Sequence, residues 1–83
     1  MNRQTLNFIR NKNDMQVLLR MLKSQGNVGL CCGIALDAKK GNWYHAEAWR
    51  SGQLEGSKTF IHDTSMCQAA CDAIEDLINR GEI

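Results

Sequence analysis

The stretch from Val28 to Arg50, VGLCCGIALDAKKGNWYHAEAWR, decides the fold. Val28, Leu30, Cys32, Ile34 and Leu36 fall on alternate positions, with Gly29, Cys31, Gly33 and Ala35 between them. A period of two sustained this long predicts a strand with one strongly buried face, because successive side chains of an extended chain point to opposite sides. The small side chains leave its other face shallow. Lys39-Lys40-Gly41 reads as a three-residue hairpin loop, a type I turn closed by a glycine in the left-handed region. The chain then returns as a second strand to Arg50.

With that loop Ala38 opposes Asn42, so Ile34 faces Ala46 and Cys32 faces Ala48. His45 lies across from Ala35 and Trp49 across from Cys31. Trp43, His45, Glu47 and Trp49 share the side opposite the apolar face. A four-residue loop would shift the register by one and turn both tryptophans inward. The first register is preferred, because it groups the alanines beneath a helix and keeps the charge of Glu47 outside.

Before the hairpin, Met15, Leu18, Leu19 and Leu22 form one apolar stripe at helical spacing. Asn13 or Asp14 can cap that helix, with Gln16 as the capping-box partner of Asn13, and Gly26-Asn27 ends it. The prediction is a helix over about 14–24. Residues 5–9, TLNFI, are either a short extra N-terminal strand, since Leu6 and Phe8 alternate, or an early helical turn. After the hairpin, Ser51 to Gly56 is a looser turn and SKTFIH a short third strand at an edge. Ser65 and Gln68 form a capping-box pair opening a last helix, whose Cys67, Ala70, Cys71, Ile74, Leu77 and Ile78 fill one face. Asp72, Glu75, Asp76 and Asn79 are its wet face, and Gly81 stops it.

These elements predict a two-layer α+β domain of order α-β-β-β-α spanning 1–83, with strands over about 28–37, 42–50 and 57–62 and a last helix over about 65–80. Both helices cover one face of a three-stranded antiparallel sheet. Eighty-three residues with 43% hydrophobic content suit one small domain rather than a disordered chain. The net charge of +1 gives no global field for nucleic acid or membrane. Its distribution is uneven: residues 1–23 carry +4 and residues 60–83 carry −4. A basic start and an acidic end can attract each other within the fold, or pair two copies head to tail. The N-terminus lacks the apolar run of a signal peptide and no stretch could span a bilayer, so the expectation is a cytoplasmic protein with Cys31, Cys32, Cys67 and Cys71 reduced.

Cys67 and Cys71 lie four apart on one helix face, and Cys32 can point at them from the sheet. A zinc site wants four ligands at tetrahedral geometry, and adjacent strand residues such as Cys31 and Cys32 point apart. Three small core thiols are the preferred reading, with no cofactor. His45 and Glu47 are two apart on a strand, with His62 expected nearby; such a pair can support proton transfer. No nucleophile with an orienting partner accompanies it, so the chain is expected not to be an enzyme. The Trp43, His45, Glu47 and Trp49 face has the residue types of an interface, since exposed aromatics are costly unless covered. The alternative is that the tryptophans are core, covered by Leu6 and Phe8. Arg20, Lys23, Lys39, Lys40, Arg50 and Lys58 could touch phosphates, but they are scattered over several elements.

Helix, three strands and helix ending in SKTFIHDTSMCQAACDAIEDLI resembles the topology of double-stranded-RNA-binding domains. That resemblance implies a lysine cluster at the start of the last helix, where this chain has Asp63-Thr64-Ser65-Met66. It also implies a glycine-proline-x-histidine loop that this hairpin lacks. The segment HDTSMCQAACDAIEDLINRGE resembles the strand-to-helix passage of HicB-type antitoxins. In size and lack of catalytic motif the chain is similar to small accessory proteins of temperate phages, many of which bind and block a host or defence protein. The leading expectation is a non-enzymatic protein-binding module or homodimer acting through the tryptophan-bearing sheet face. Nucleic-acid binding and a metal-stabilised regulatory domain using Cys32, Cys67 and Cys71 are the alternatives.

Overall fold

The computed structural model describes residues 1–53 and 56–83. Its elements are α1 (Arg3–Lys12), α2 (Met15–Gln25), β1 (Val28–Ala35), β2 (Trp43–Arg50), β3 (Phe60–His62) and α3 (Met66–Asn79). The strands form one antiparallel sheet in the order β1-β2-β3. From α2 onward the order is α-β-β-β-α, and α1 is an additional helix.

The segment read as strand or helical turn is helical throughout. The Asn2 side chain accepts a hydrogen bond from the Thr5 amide at 2.8 Å, which caps α1. Leu6 and Ile9, three apart, are both fully buried. Phe8, which alternates with Leu6, instead stays 57% exposed with the Lys12 ammonium 5.5 Å from its ring centre. Neither residue covers a tryptophan. Asn13 ends the helix in the left-handed region at φ 53°, and Asp14 starts the next by accepting from the amides of Gln16 and Val17.

The core lies between the sheet and the helices. From the sheet it takes Val28, Leu30, Cys32, Ala46, Ala48 and Phe60, all of one alternation, so the helices cover one face only. Helix α3 is buried on more than one side: Ala69 and Ala73 are as inaccessible as Cys67, Ala70, Cys71, Ile74 and Leu77. Small side chains on α3 and at Ala46 and Ala48 let helix and sheet approach closely. The apolar face of β1 is only partly floor to this core, because the cover ends early. Ile34 is 45% exposed and Leu36 75% exposed.

The uneven charge closes the fold on itself. The Arg10 guanidinium reaches Asp72 at 2.5 Å and Glu75 at 2.9 Å, and Arg3 donates to the Asn79 side chain. The expected wet face of α3 is thus the seat of α1. Burial opposes the charge on Arg10, but the hydrogen bond and charge of Asp72, with Glu75, more than offset it and hold its pKa above the ordinary arginine value.

The register differs from expectation by two residues. Gly29 pairs with Trp49, Cys31 with Glu47, Cys32 with Ala46, Gly33 with His45 and Ala35 with Trp43. The loop is longer than Lys39-Lys40-Gly41 because the turn begins at Asp37. Its carboxylate accepts from the amides of Lys39 and Lys40, both at 2.8 Å, and the Gly41 amide returns to the Asp37 carbonyl at 3.0 Å. Gly41 does take the left-handed conformation, at φ 82°. A shift of two leaves every side chain on its predicted face. In the turn expected over Ser51–Gly56, the Gln53 amide bonds the Arg50 carbonyl, and Leu54 and Glu55 lie outside the described residues.

Candidate functional site on the outer sheet face

The face away from the helices carries Gly29, Cys31, Gly33 and Ala35 from β1, Trp43, His45, Glu47 and Trp49 from β2, and Ile61 from β3. None of these belongs to the core cluster or to the partly buried residues packed on it. The four β2 residues of the predicted site are therefore together on one face that the helices leave uncovered, each half-buried rather than projecting.

What half-buries two of them is glycine. A side-chain carbon added at Gly29 would stand 2.2 Å from Trp49 Nε1, and one added at Gly33 would stand 2.5 Å from His45 Nε2. The indole of Trp49 and the imidazole of His45 thus lie across β1, each over the glycine that opposes it. Rings laid over cross-strand glycines supply the packing that glycine lacks and pin the pairing. The shallow surface expected from the small residues of β1 is thus filled by rings from β2. The available signal was that only the observed register sets both glycines opposite large rings.

His45 Nδ1 and Glu47 Oε2 are 2.9 Å apart, and the Trp43 and His45 rings meet edge to face with centroids 6.1 Å apart. Glu47 orients the imidazole, while its Nε2 edge rests on Gly33. His62 does not join them. It pairs with Tyr44 and so shares that residue's face, opposite to His45. Its Nδ1 accepts from the amides of Thr64 and Ser65, both at 3.2 Å. That fixes the turn into α3, where Ser65 Oγ accepts from the Gln68 amide. The capping box is incomplete: the Gln68 side chain reaches the Arg10 carbonyl at 2.7 Å rather than back to Ser65.

Trp43 stands at the end of the row nearest the hairpin. With Ile61, which is 56% exposed, it lines an open groove edged by Lys40, Asn42 and Asp63. An indole and an aliphatic side chain framed by one positive, one neutral and one negative side chain can hold an apolar anchor with a polar rim.

The basic residues are not gathered. Lys39 and Lys40 occupy the hairpin tip, whereas Arg50 ends β2 at the far end and lies 3.9 Å from Glu82. An eight-residue strand separates them, which at ~3.3 Å per residue is roughly 25 Å. Lys58 precedes β3, and Arg20 and Lys23 belong to α2.

Of the thiols, Cys67 and Cys71 are both buried in the core, with Cys32 packed against it, and Cys31 is exposed. Burial pushes Cys32 up to about 11 and Cys71, with its neighbour Cys67, up to about 12; Cys67 is raised by burial as well. Among the described residues no group of three or more His, Cys, Asp or Glu is placed to hold a metal ion, and no helix is long and apolar enough to cross a membrane. Compared with protein-family models, curated proteins and solved structures, the chain matches none.

Proposed function

We propose that this chain is a protein-binding module, and that Trp43 and Ile61 on the outer sheet face are the anchors of its contact surface. The observation that carries this is the open groove between them on a face that the helices leave bare. Trp49 and His45 play a supporting part, since their rings are already spent on Gly29 and Gly33. Binding rather than catalysis is favoured by His45, whose free ring nitrogen lies on the strand instead of facing a cleft. The resemblance to phage accessory proteins makes a host or defence protein the partner to look for.

The test is affinity capture from a native host with wild-type protein, with a Trp43→Ala/Ile61→Lys variant and with a Lys39→Ala hairpin variant, Lys39 lying outside the groove. The groove variant should lose its captured protein while the hairpin variant retains it. An interface anchor is worth about 2 kcal/mol or more, roughly a thirtyfold loss of affinity. Equal capture by all three would refute the reading.

A further inference from the structure

We infer that β1 is a dimerisation edge, and that two copies of this chain pair β1 to β1 across a two-fold axis into one six-stranded sheet. The two edges of the sheet are unlike. β3 is three residues long, with Lys58 before it and Asp63 after it. β1 is eight residues long, and from Gly26 to Leu36 the sequence has no charged residue, histidine or proline. Among the described residues β1 pairs with β2 alone. Long, uncharged edges are what solitary domains avoid, by shortening, charge, proline or cover.

The backbone restricts how a partner strand can pair. The Ser51 amide bonds the Asn27 carbonyl, and that pair continues the β1–β2 register. Odd-numbered residues of β1 therefore turn their amide and carbonyl groups to β2, and Val28, Leu30, Cys32 and Ile34 turn theirs to the open side. A second copy related by a two-fold axis at Cys31 matches that pattern without a gap. Leu30 meets the partner's Cys32, and Val28 meets the partner's Ile34, each as a hydrogen-bonded pair. Ile34, now 45% exposed, is then covered from the side by Val28 of the partner subunit. On the outer face Gly29 meets the partner's Gly33, which sets Trp49 beside His45 of the partner subunit. No charge is buried at any of these positions. An isologous pairing of this kind is the commonest route to a homodimer.

Cys31 lies on the axis opposite its own copy, in a non-hydrogen-bonded pair. Such pairs hold Cα atoms about 4.5 Å apart, within the range a disulfide spans. Cys31 is exposed, whereas Cys67 and Cys71 are buried and Cys32 faces the core.

This inference concerns the sheet edge and stands apart from the groove at Trp43, so either can fail alone. The test is mass by light scattering over a concentration series, with oxidation in parallel by a small-molecule disulfide, which is reduced to two thiols as the two Cys31 thiols join. The wild type should move from its 9.3 kDa monomer to twice that mass. Oxidation should trap the dimer, Cys31→Ser should abolish the trapping, and Cys32→Ser should retain it. Ile34→Pro removes an outward amide and no β1–β2 bond, and Ile34→Lys places a charge at an exposed position without touching the core. Both should remain monomeric and trap at least tenfold more slowly. A wild type that stays monomeric at every concentration, or a dimer that survives Ile34→Lys, would overturn the inference.

Discussion

Replacing Gly29 by alanine tests whether the indole of Trp49 is held down on β1. The added carbon would stand 2.2 Å from Nε1, 2.3 Å from Cε2 and 2.7 Å from Cζ2 of the indole. Ordinary contact is ~3.5 Å or more, so the rigid ring must lift by over ~1 Å along its length. Overpacking of this kind costs about 1–3 kcal/mol. Gly29 has no left-handed backbone to lose, so alanine also gains about 0.4–1 kcal/mol by restricting the unfolded chain. The net is a destabilisation of about 1–2 kcal/mol, or a midpoint lowered by roughly 5–15 °C in a domain of this size. Thermal and denaturant unfolding followed by circular dichroism measure it. The sharper form is a cycle with Trp49→Ala. Without the indole the clash is gone, and Gly29→Ala should become neutral or stabilising, a reversal of sign that measures the coupling. Gly29→Ala as stable as wild type in both backgrounds would refute the ring-over-glycine account.

Three further outcomes concern the thiols and the turn. Cys31 should alkylate within minutes near pH 8, while Cys32, Cys67 and Cys71 react only on unfolding, as mass spectrometry of peptides would show; rapid labelling of Cys71 would contradict its burial. Because folding raises the pKa of Cys32 and Cys71, their contribution is complete below the unfolded thiol value near ~8.5 and is lost as pH climbs toward about 11 and about 12; Cys71→Ala should flatten that alkaline loss. Asp37 runs the other way. The amides of Lys40 and Lys39 hold its carboxyl below the usual value, so the turn is intact above pH ~4 and loosens only as pH falls further. Amide shifts of Lys39 and Lys40 should follow that titration, and Asp37→Ala should abolish it.

What could be read in the sequence was whatever depends on alternation and periodicity. The stripe through Leu18 and Leu22, the run from Cys67 to Leu77 and the two-residue period of β1 each state a buried face, and the α+β class follows from them. What could not be read depended on local backbone chemistry. Residues 5–9 contain both a Leu6–Phe8 alternation and a Leu6–Ile9 helical pair, and the cap at Asn2 tips them to helix. The hairpin length turned on the Asp37 carboxylate rather than on the visible glycine. At the site, the sequence brought Trp43, His45, Glu47 and Trp49 to one face but gave them equal standing. Only the positions of Gly29 and Gly33 separate the rings that serve the fold from Trp43. Ile61 escaped notice because a three-residue strand carries too little pattern to assign a face.

The register itself is the most delicate feature, because hydrophobic burial barely chooses it. The expected pairing and the observed one differ by two residues, keep every side chain on the same face and bury nearly the same atoms. Two local terms distinguish them: the Asp37 turn, and rings over glycines, since the alternative sets Trp49 against Cys31 and His45 against Ala35. Removing both terms should let the hairpin slip. In a Gly29→Ala/Gly33→Ala/Asp37→Ala variant, cross-strand amide and Hα contacts seen by nuclear magnetic resonance should pass in part from Cys32–Ala46 to Cys32–Ala48. If the variant unfolds, the same slip can be sought in Gly33→Ala/Asp37→Ala, where only one histidine atom, Nε2 at 2.5 Å, comes within 3.0 Å and the clash is milder than at Gly29. A hairpin that keeps the Cys32–Ala46 pairing in both variants would mean that the core beneath Ala46 and Ala48 sets the register, and that glycine and turn merely accommodate it.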